Sequence, residues 1–140
     1  MVRTLIVDDN AAIRILLKEI LCARFPSMFV GEAVDEEEAL EKAHLHLPDI
    51  IFMDIGLGGK HSGLELTRKI KADYPNSIII VLTIYDLPEY REAAFQSGAS
   101  YFLPKELLKK DDLLTLIESI LSDLDEGVNG PRSADKTSKA

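Results

Sequence analysis

The sequence predicts one α/β domain, a doubly wound parallel sheet of five strands with helices on both faces. Three observations carry this. Short apolar runs alternate with helix-periodic stretches five times along the chain. Two of the runs, Ile50-Ile51-Phe52-Met53 and Ile78-Ile79-Ile80-Val81-Leu82, are apolar throughout, as strands covered on both faces are. The chain has 140 residues, 46% of them hydrophobic, which suits one packed domain and is short for two.

The elements follow in order. Leu5-Ile6-Val7 is a short strand that stops at Asp8-Asp9. Ile13, Leu16, Leu17, Ile20 and Leu21 then recur three and four apart, one face of an amphipathic helix. Asn10 or Asp9 stands where a cap is needed, and Pro26 closes the segment. The single cysteine, Cys22, falls in this helical pattern and reads as a small buried hydrophobe. Phe29-Val30-Gly31-Glu32-Ala33 is a weaker strand. Asp35, Glu36, Glu37 and Glu38 open a second helix with acids where the helix dipole favours them. Its stripe is Ala39, Leu40 and Ala43, and Pro48 ends it.

The third strand runs into Asp54 and turns through Gly56, Gly58 and Gly59. Leu64, Leu66, Ile70 and Tyr74 mark a third helix, ended by Pro75. The stretch from Ser77 to Thr83 is the most apolar of all and reads as a central strand. Glu89 to Ser97 is helical but short and poorly amphipathic, with Gly98 as its stop. Ser100-Tyr101-Phe102-Leu103 is the last strand, followed by Pro104-Lys105. Leu113, Leu114, Leu116, Ile117, Ile120, Leu121 and Leu124 give a strong final helix. The composition changes at Glu126, so residues 1–125 read as the domain and 126–140 as a disordered tail or linker. Right-handed crossovers favour the strand order 2-1-3-4-5, the flavodoxin-like arrangement.

Charge and composition narrow the function. A net charge of -8 argues against this domain gripping a nucleic acid backbone itself, though not against a DNA-binding partner domain. One cysteine allows no internal disulfide. No run approaches membrane-spanning length and no signal peptide precedes the first strand, so the expected location is the cytoplasm.

In this strand order the first and third strands are neighbours, so Asp8, Asp9 and Asp54 converge at the carboxyl edge of the sheet, where open α/β sheets bind ligands. Three carboxylates so close repel one another unless a cation is present. Oxygen ligands of this kind suit Mg²⁺, and a backbone carbonyl near Gly56 would complete the set. Each acid alone would be an ordinary cap or turn residue. Thr83 and Lys105 end the fourth and fifth strands at the same edge. A Lys there neutralises a phosphoryl group as a point charge, and a Thr hydroxyl donates to one of its oxygens.

Taken together, Asp8-Asp9, Asp54, Thr83 and Lys105, the last after Gly98-Ala99-Ser100-Tyr101-Phe102, resemble the bacterial response regulator receiver domain over about residues 3–124. Leu82-Thr83-Ile84-Tyr85-Asp86 and Leu103-Pro104-Lys105-Glu106 look more like the LuxR/NarL-like subclass than chemotaxis-type receivers. The resemblance implies that Asp54 takes a phosphoryl group from the phosphohistidine of a sensor histidine kinase. Mg²⁺ would be held by Asp8, Asp9, Asp54 and the Gly56 carbonyl. Lys105 would pair with a phosphoryl oxygen and Thr83 would bond another. The aromatic Phe102, with Tyr101 as competitor, would then rotate and switch the face made by helix 4, strand 5 and helix 5. A homodimer through that face and a DNA-binding domain downstream also follow from the resemblance.

The chain departs from the family in places. Gly58 stands where the family usually has proline, and the loop before Gly63 is one residue longer, which predicts greater mobility there. Lys60 and His61 in that loop read as solvated side chains. Pro104 precedes Lys105 rather than following it, so the family's cis bond does not carry over. Ile84 is bulky beside Thr83 and narrows the expected entrance, and Gly56 and Tyr85 occupy the positions expected to tune phosphoryl hydrolysis. Rival readings are weaker. A phosphorylation-independent interaction module tends to lose one of the acids, Thr83 or Lys105, whereas a stand-alone receiver and a receiver cut before a DNA-binding domain both fit the chain. A dehalogenase-type phosphatase needs a second acid where Gly56 stands. A nucleotide or flavin site needs a fuller glycine motif than Gly56-Leu57-Gly58-Gly59.

Overall fold

The computed structural model describes residues 1–59 and 62–126. Five parallel strands form one sheet in the order 2-1-3-4-5, as expected. They are β1 (Arg3–Val7), β2 (Phe29–Ala33), β3 (Ile50–Asp54), β4 (Ile78–Thr83) and β5 (Tyr101–Pro104). Five helices connect and follow them: α1 (Ala11–Arg24), α2 (Glu36–His46), α3 (Ser62–Asp73), α4 (Pro88–Ser97) and α5 (Lys110–Glu126). The loop positions Lys60 and His61 and the tail from 127 to 140 lie outside the described residues.

The continuous apolar runs behave as buried strands must. Every residue of β3 and β4 is buried, and successive side chains go to opposite faces. Leu5, Val7, Ile51, Met53, Ile79, Val81 and Phe102 pack under α2, α3 and α4. Ile6, Ile50, Phe52, Ile78, Ile80 and Leu82 pack under α1 and α5, against Leu17, Leu21, Leu113, Ile117 and Ile120. Two cores thus grip the central strands, and the strand ends are held rigidly at one edge.

Local chemistry sets the helix ends. Asn10, rather than Asp9, caps α1: its Oδ1 accepts from the Ala12 and Ile13 N–H groups at 2.9 and 3.3 Å. Asp35 accepts from the Glu38 N–H while the Glu38 carboxylate accepts from the Val34 N–H, so two orphan donors are satisfied at the start of α2. That helix stops on Leu47 in a left-handed conformation (φ 50°), one residue before Pro48. Pro88 opens α4 one residue earlier than expected, where its fixed φ suits a first turn. Gly98 closes it at φ 114°. Among the described residues no peptide bond is cis.

Two expectations are corrected. Cys22 is exposed, not buried. Leu16 is 45% exposed and does not belong to the buried stripe of α1. The cause is the helix period: position 16 lies about 100° round the helix from the buried Leu17, and position 22 about 100° from the buried Leu21. A helix docked on a flat sheet buries a narrower stripe than the sequence pattern allows.

Candidate functional site

The carboxyl ends of β1, β3, β4 and β5 meet at one edge. Asp8 and Asp9 follow β1, Asp54 ends β3, Thr83 ends β4 and Lys105 follows β5. Asp54 shares strand parity with Ile50 and Phe52, on the α1/α5 side, whereas Thr83 shares it with Ile79 and Val81, on the α4 side.

The three predicted acids do converge. Each of Asp8, Asp9 and Asp54 offers a carboxylate oxygen within 4.8 Å of the others. Lys105 Nζ lies 2.8 Å from Asp8 Oδ2 and 3.6 Å from Asp54 Oδ1. Backbone N–H groups orient each acid: Asn10 donates to Asp8 Oδ1 (2.9 Å), Gly58 to Asp9 Oδ2 (3.3 Å) and Gly56 to Asp54 Oδ1 (3.0 Å). Asp8 and Asp54 are buried, and Asp9 is exposed. Burial, then the Asp8 carboxylate, pushes the Asp54 carboxyl up to about 6, with Lys105 and the Gly56 N–H pulling the other way. One ammonium therefore does not balance three acids.

The donor set fits a hard divalent cation. It is all oxygen, it carries excess negative charge, and among the described residues the buried Asp8 Oδ2 is met by the Lys105 ammonium at 2.8 Å and by no other donor. Gly56 adjoins the cluster, since a Cβ there would stand 3.7 Å from Asp54 Oδ1 and 3.2 Å from the Tyr85 ring. Tyr85 in turn packs on Tyr90, ring centroids 5.3 Å apart. Ile84, next to Thr83, is 60% exposed.

Thr83 is fully buried, and its Oγ1 accepts from the Tyr85 N–H at 2.9 Å. Phe102, rather than the half-buried Tyr101, is the aromatic on the Thr83 side: it pairs with Val81, two residues before Thr83 on the same face, and is buried in the α4-side core. The Arg91 guanidinium of α4 covers its ring at 5.2 Å.

Sequence reasoning missed three supports of this site. Gly63 presses on the Asp54 backbone and donates to the Ile55 carbonyl at 3.1 Å. Arg14 of α1 donates to the Asp8 carbonyl at 2.7 Å and to Glu32 of β2 at 3.0 Å. Arg91 stacks on Phe102. The sequence marked Gly63 only as the end of a lengthened loop, and no local signal pairs Arg14 with Glu32 or Arg91 with Phe102.

A flavodoxin-like sheet that gathers three acids, a lysine and a buried threonine at its strand ends defines a signalling receiver rather than a metabolic enzyme. Comparison with known proteins agrees. Residues 4–118 match the response regulator receiver domain family, and the chain belongs to it. It is 32% identical over 114 residues to the oxygen regulatory protein NreC of Staphylococcus haemolyticus, covering 81% of this chain and 52% of that one. It is 34% identical over 119 residues to the transcriptional regulatory protein DegU of Brevibacillus brevis, covering 85% and 48%. Among solved structures it resembles a LuxR-family two-component response regulator from Aurantimonas (TM-score 0.75, 32% identity, 86% of this chain and 84% of that one). It also resembles a CheY-like receiver domain protein from Methanospirillum hungatei (TM-score 0.80, 29% identity, 91% and 98%). The LuxR/NarL-like character expected from the sequence therefore holds, and the chain spans about half the length of the curated relatives it matches. Among the described residues no helix is long and apolar enough to cross a membrane.

Proposed function

We propose that Asp54 is the phospho-acceptor of a two-component system, with a sensor histidine kinase as donor. The single observation that carries this is the placement of the Asp54 carboxylate, last in a fully buried strand, between two further acids and the Lys105 ammonium. An Asp54 oxygen attacks the phosphorus of a phosphohistidine. The new O–P bond forms as the P–N bond breaks, and the bonding pair returns to the imidazole. Asp8, Asp9, Asp54 and the Gly56 carbonyl hold Mg²⁺, which supplies charge neutralisation on the transferring group. Lys105 pairs with a phosphoryl oxygen. Its present contacts to Asp8 and Asp54 keep its ammonium within reach of that position.

Thr83 then gives up the Tyr85 N–H and donates its hydroxyl to another phosphoryl oxygen. That movement opens space toward Phe102, which shares its face, and the α4/β5/α5 surface changes state. A homodimer through that surface, a DNA-binding domain beyond the receiver, a linker role for the tail after Glu126, which still belongs to α5, and a cytoplasmic location belong to the same reading. The net charge of -8 supports leaving direct DNA contact to another domain.

The test is intact mass after incubation with Mg²⁺ and acetyl phosphate. One phosphoryl group is expected on the wild-type chain, and none in Asp54→Ala or in EDTA. If neither acetyl phosphate nor beryllofluoride modifies the wild-type chain, phosphotransfer is the wrong reading.

A further inference from the structure

The Asp8–Asp9 turn is held from outside the strand edge by a residue that the mechanism above does not use. Arg14 Nη1 donates to the Asp8 carbonyl oxygen at 2.7 Å, and Arg14 Nε donates to Glu32 Oε1 at 3.0 Å. The Arg14 side chain is only 15% exposed. Glu32 is itself anchored. It lies on β2 opposite Ile6 of β1, Lys18 Nζ stands 3.5 Å from its second carboxylate oxygen, and Lys42 donates to its backbone carbonyl.

These contacts fix a stretch of backbone that matters. The Asp8 N–H donates to the Ala33 carbonyl at 3.1 Å, and the Asp8 carbonyl accepts from Arg14. The first bond holds the Val7–Asp8 peptide and the second holds the carbonyl of the Asp8–Asp9 peptide, so the backbone is fixed on both sides of the Asp8 Cα, just where the chain turns into Asp9. Asp9 needs that help. It is exposed, and its carboxylate is held by a long bond (3.3 Å) from the Gly58 N–H in a glycine turn. A guanidinium suits the task because its planar fork makes both bonds at once in one rigid group. An ammonium at the same place has no such fork.

We propose that Arg14, locked by Glu32, is a positioning residue for the Asp8–Asp9 limb of the cation site. It prearranges the two carboxylates and so sets the affinity for a divalent cation. The inference rests on the reading that these acids hold such a cation. Two effects of Arg14 have opposite signs, which makes the idea testable. As a nearby positive charge Arg14 repels a cation, so its removal would tighten binding. As a positioning group it supports the ligands, so its removal weakens binding.

Mg²⁺ titration calorimetry on the full chain decides between them, with Arg14→Ala, Arg14→Lys and, as a control, Arg68→Ala, which breaks an exposed pair with Glu65 on α3. Loss of an outer-shell support typically weakens metal binding by about 10–100-fold. The expected result is a Kd raised about tenfold in Arg14→Ala, raised less in Arg14→Lys and unchanged in Arg68→Ala. Circular dichroism melts without metal establish that each variant is folded. Unchanged or tighter Mg²⁺ binding by folded Arg14→Ala overturns the proposal. If that variant does not fold, Arg14→Lys decides: weakened binding supports the proposal and wild-type affinity overturns it. A wild-type chain that takes up no Mg²⁺ would overturn the cation site itself, and this inference with it.

Discussion

Gly63 sits directly on the backbone of Asp54. A Cβ at position 63 would stand 2.0 Å from the Asp54 carbonyl oxygen and 2.8 Å from the Ile55 Cα. The start of α3 thus forms a wall against the segment that presents the phospho-acceptor, and neither neighbour is a flexible side chain that can step aside.

Gly63→Ala is therefore expected to push α3 and β3 apart. Overpacking of this kind costs about 1–3 kcal/mol, and this contact, being with backbone, belongs at the upper end. A urea titration measures the loss. Because Asp54 moves with its backbone, the phosphorylation yield with acetyl phosphate should fall as well. A variant with wild-type stability and yield would contradict the close approach.

Gly58 carries a second consequence. Its φ of 67° is left-handed, and its N–H donates to Asp9. Proline, the residue the family resemblance expects there, can supply neither that φ nor that N–H. Gly58→Ala keeps the N–H and should lose about 1 kcal/mol from backbone strain alone. Gly58→Pro should in addition weaken Mg²⁺ binding well beyond the alanine variant. Equal Mg²⁺ affinity in the two variants would show that the Asp9 contact does nothing for the site.

The raised Asp54 carboxyl makes stability depend on pH. Folded, it titrates near 6, against an ordinary value of 3.8. Between these values the folded state holds the proton and the unfolded chain does not. The metal-free protein therefore loses stability as pH rises from about 4 to about 6, and this group adds no further loss above that. Asp54→Asn removes the penalty. At about pH 7.5 it should melt a few degrees above the metal-free wild type, on the order of 1 kcal/mol, with the gain shrinking toward about pH 4. A gain that grows toward acid pH would reverse the assigned sign.

Divalent cation should offset the same repulsion. At about ten times its Kd, a ligand that binds only the folded state stabilises it by about 1.4 kcal/mol. Thermal melts with and without Mg²⁺ should show a rise for the wild type that Asp9→Ala largely loses. Asp9 is the exposed member of the cluster, so its substitution disturbs the core least. A full Mg²⁺ response in Asp9→Ala would exclude it as a ligand.

Much of this molecule was legible in the chain itself. Ile50 to Met53 and Ile78 to Leu82 had to be buried strands because they offer water no polar face. Right-handed crossovers then left the observed strand order, and that order alone brings Asp8, Asp9, Asp54, Thr83 and Lys105 to one edge. These are consequences of local periodicity and chirality, and such rules act on neighbours in sequence.

What only the tertiary structure decided depends on distances between elements. Glu32 meets Arg14 from 18 residues away, and Gly58 meets Asp9 from 49. Arg91 covers Phe102 only because α4 docks where it does. Leu16 and Cys22 fit the helical pattern as well as Leu17 does, yet the docking angle of α1 leaves them in solvent. Periodicity states which residues can share a face. Packing decides which of them touch, because contact is set by the separation and rotation of whole elements, to which a run of residues has no local access.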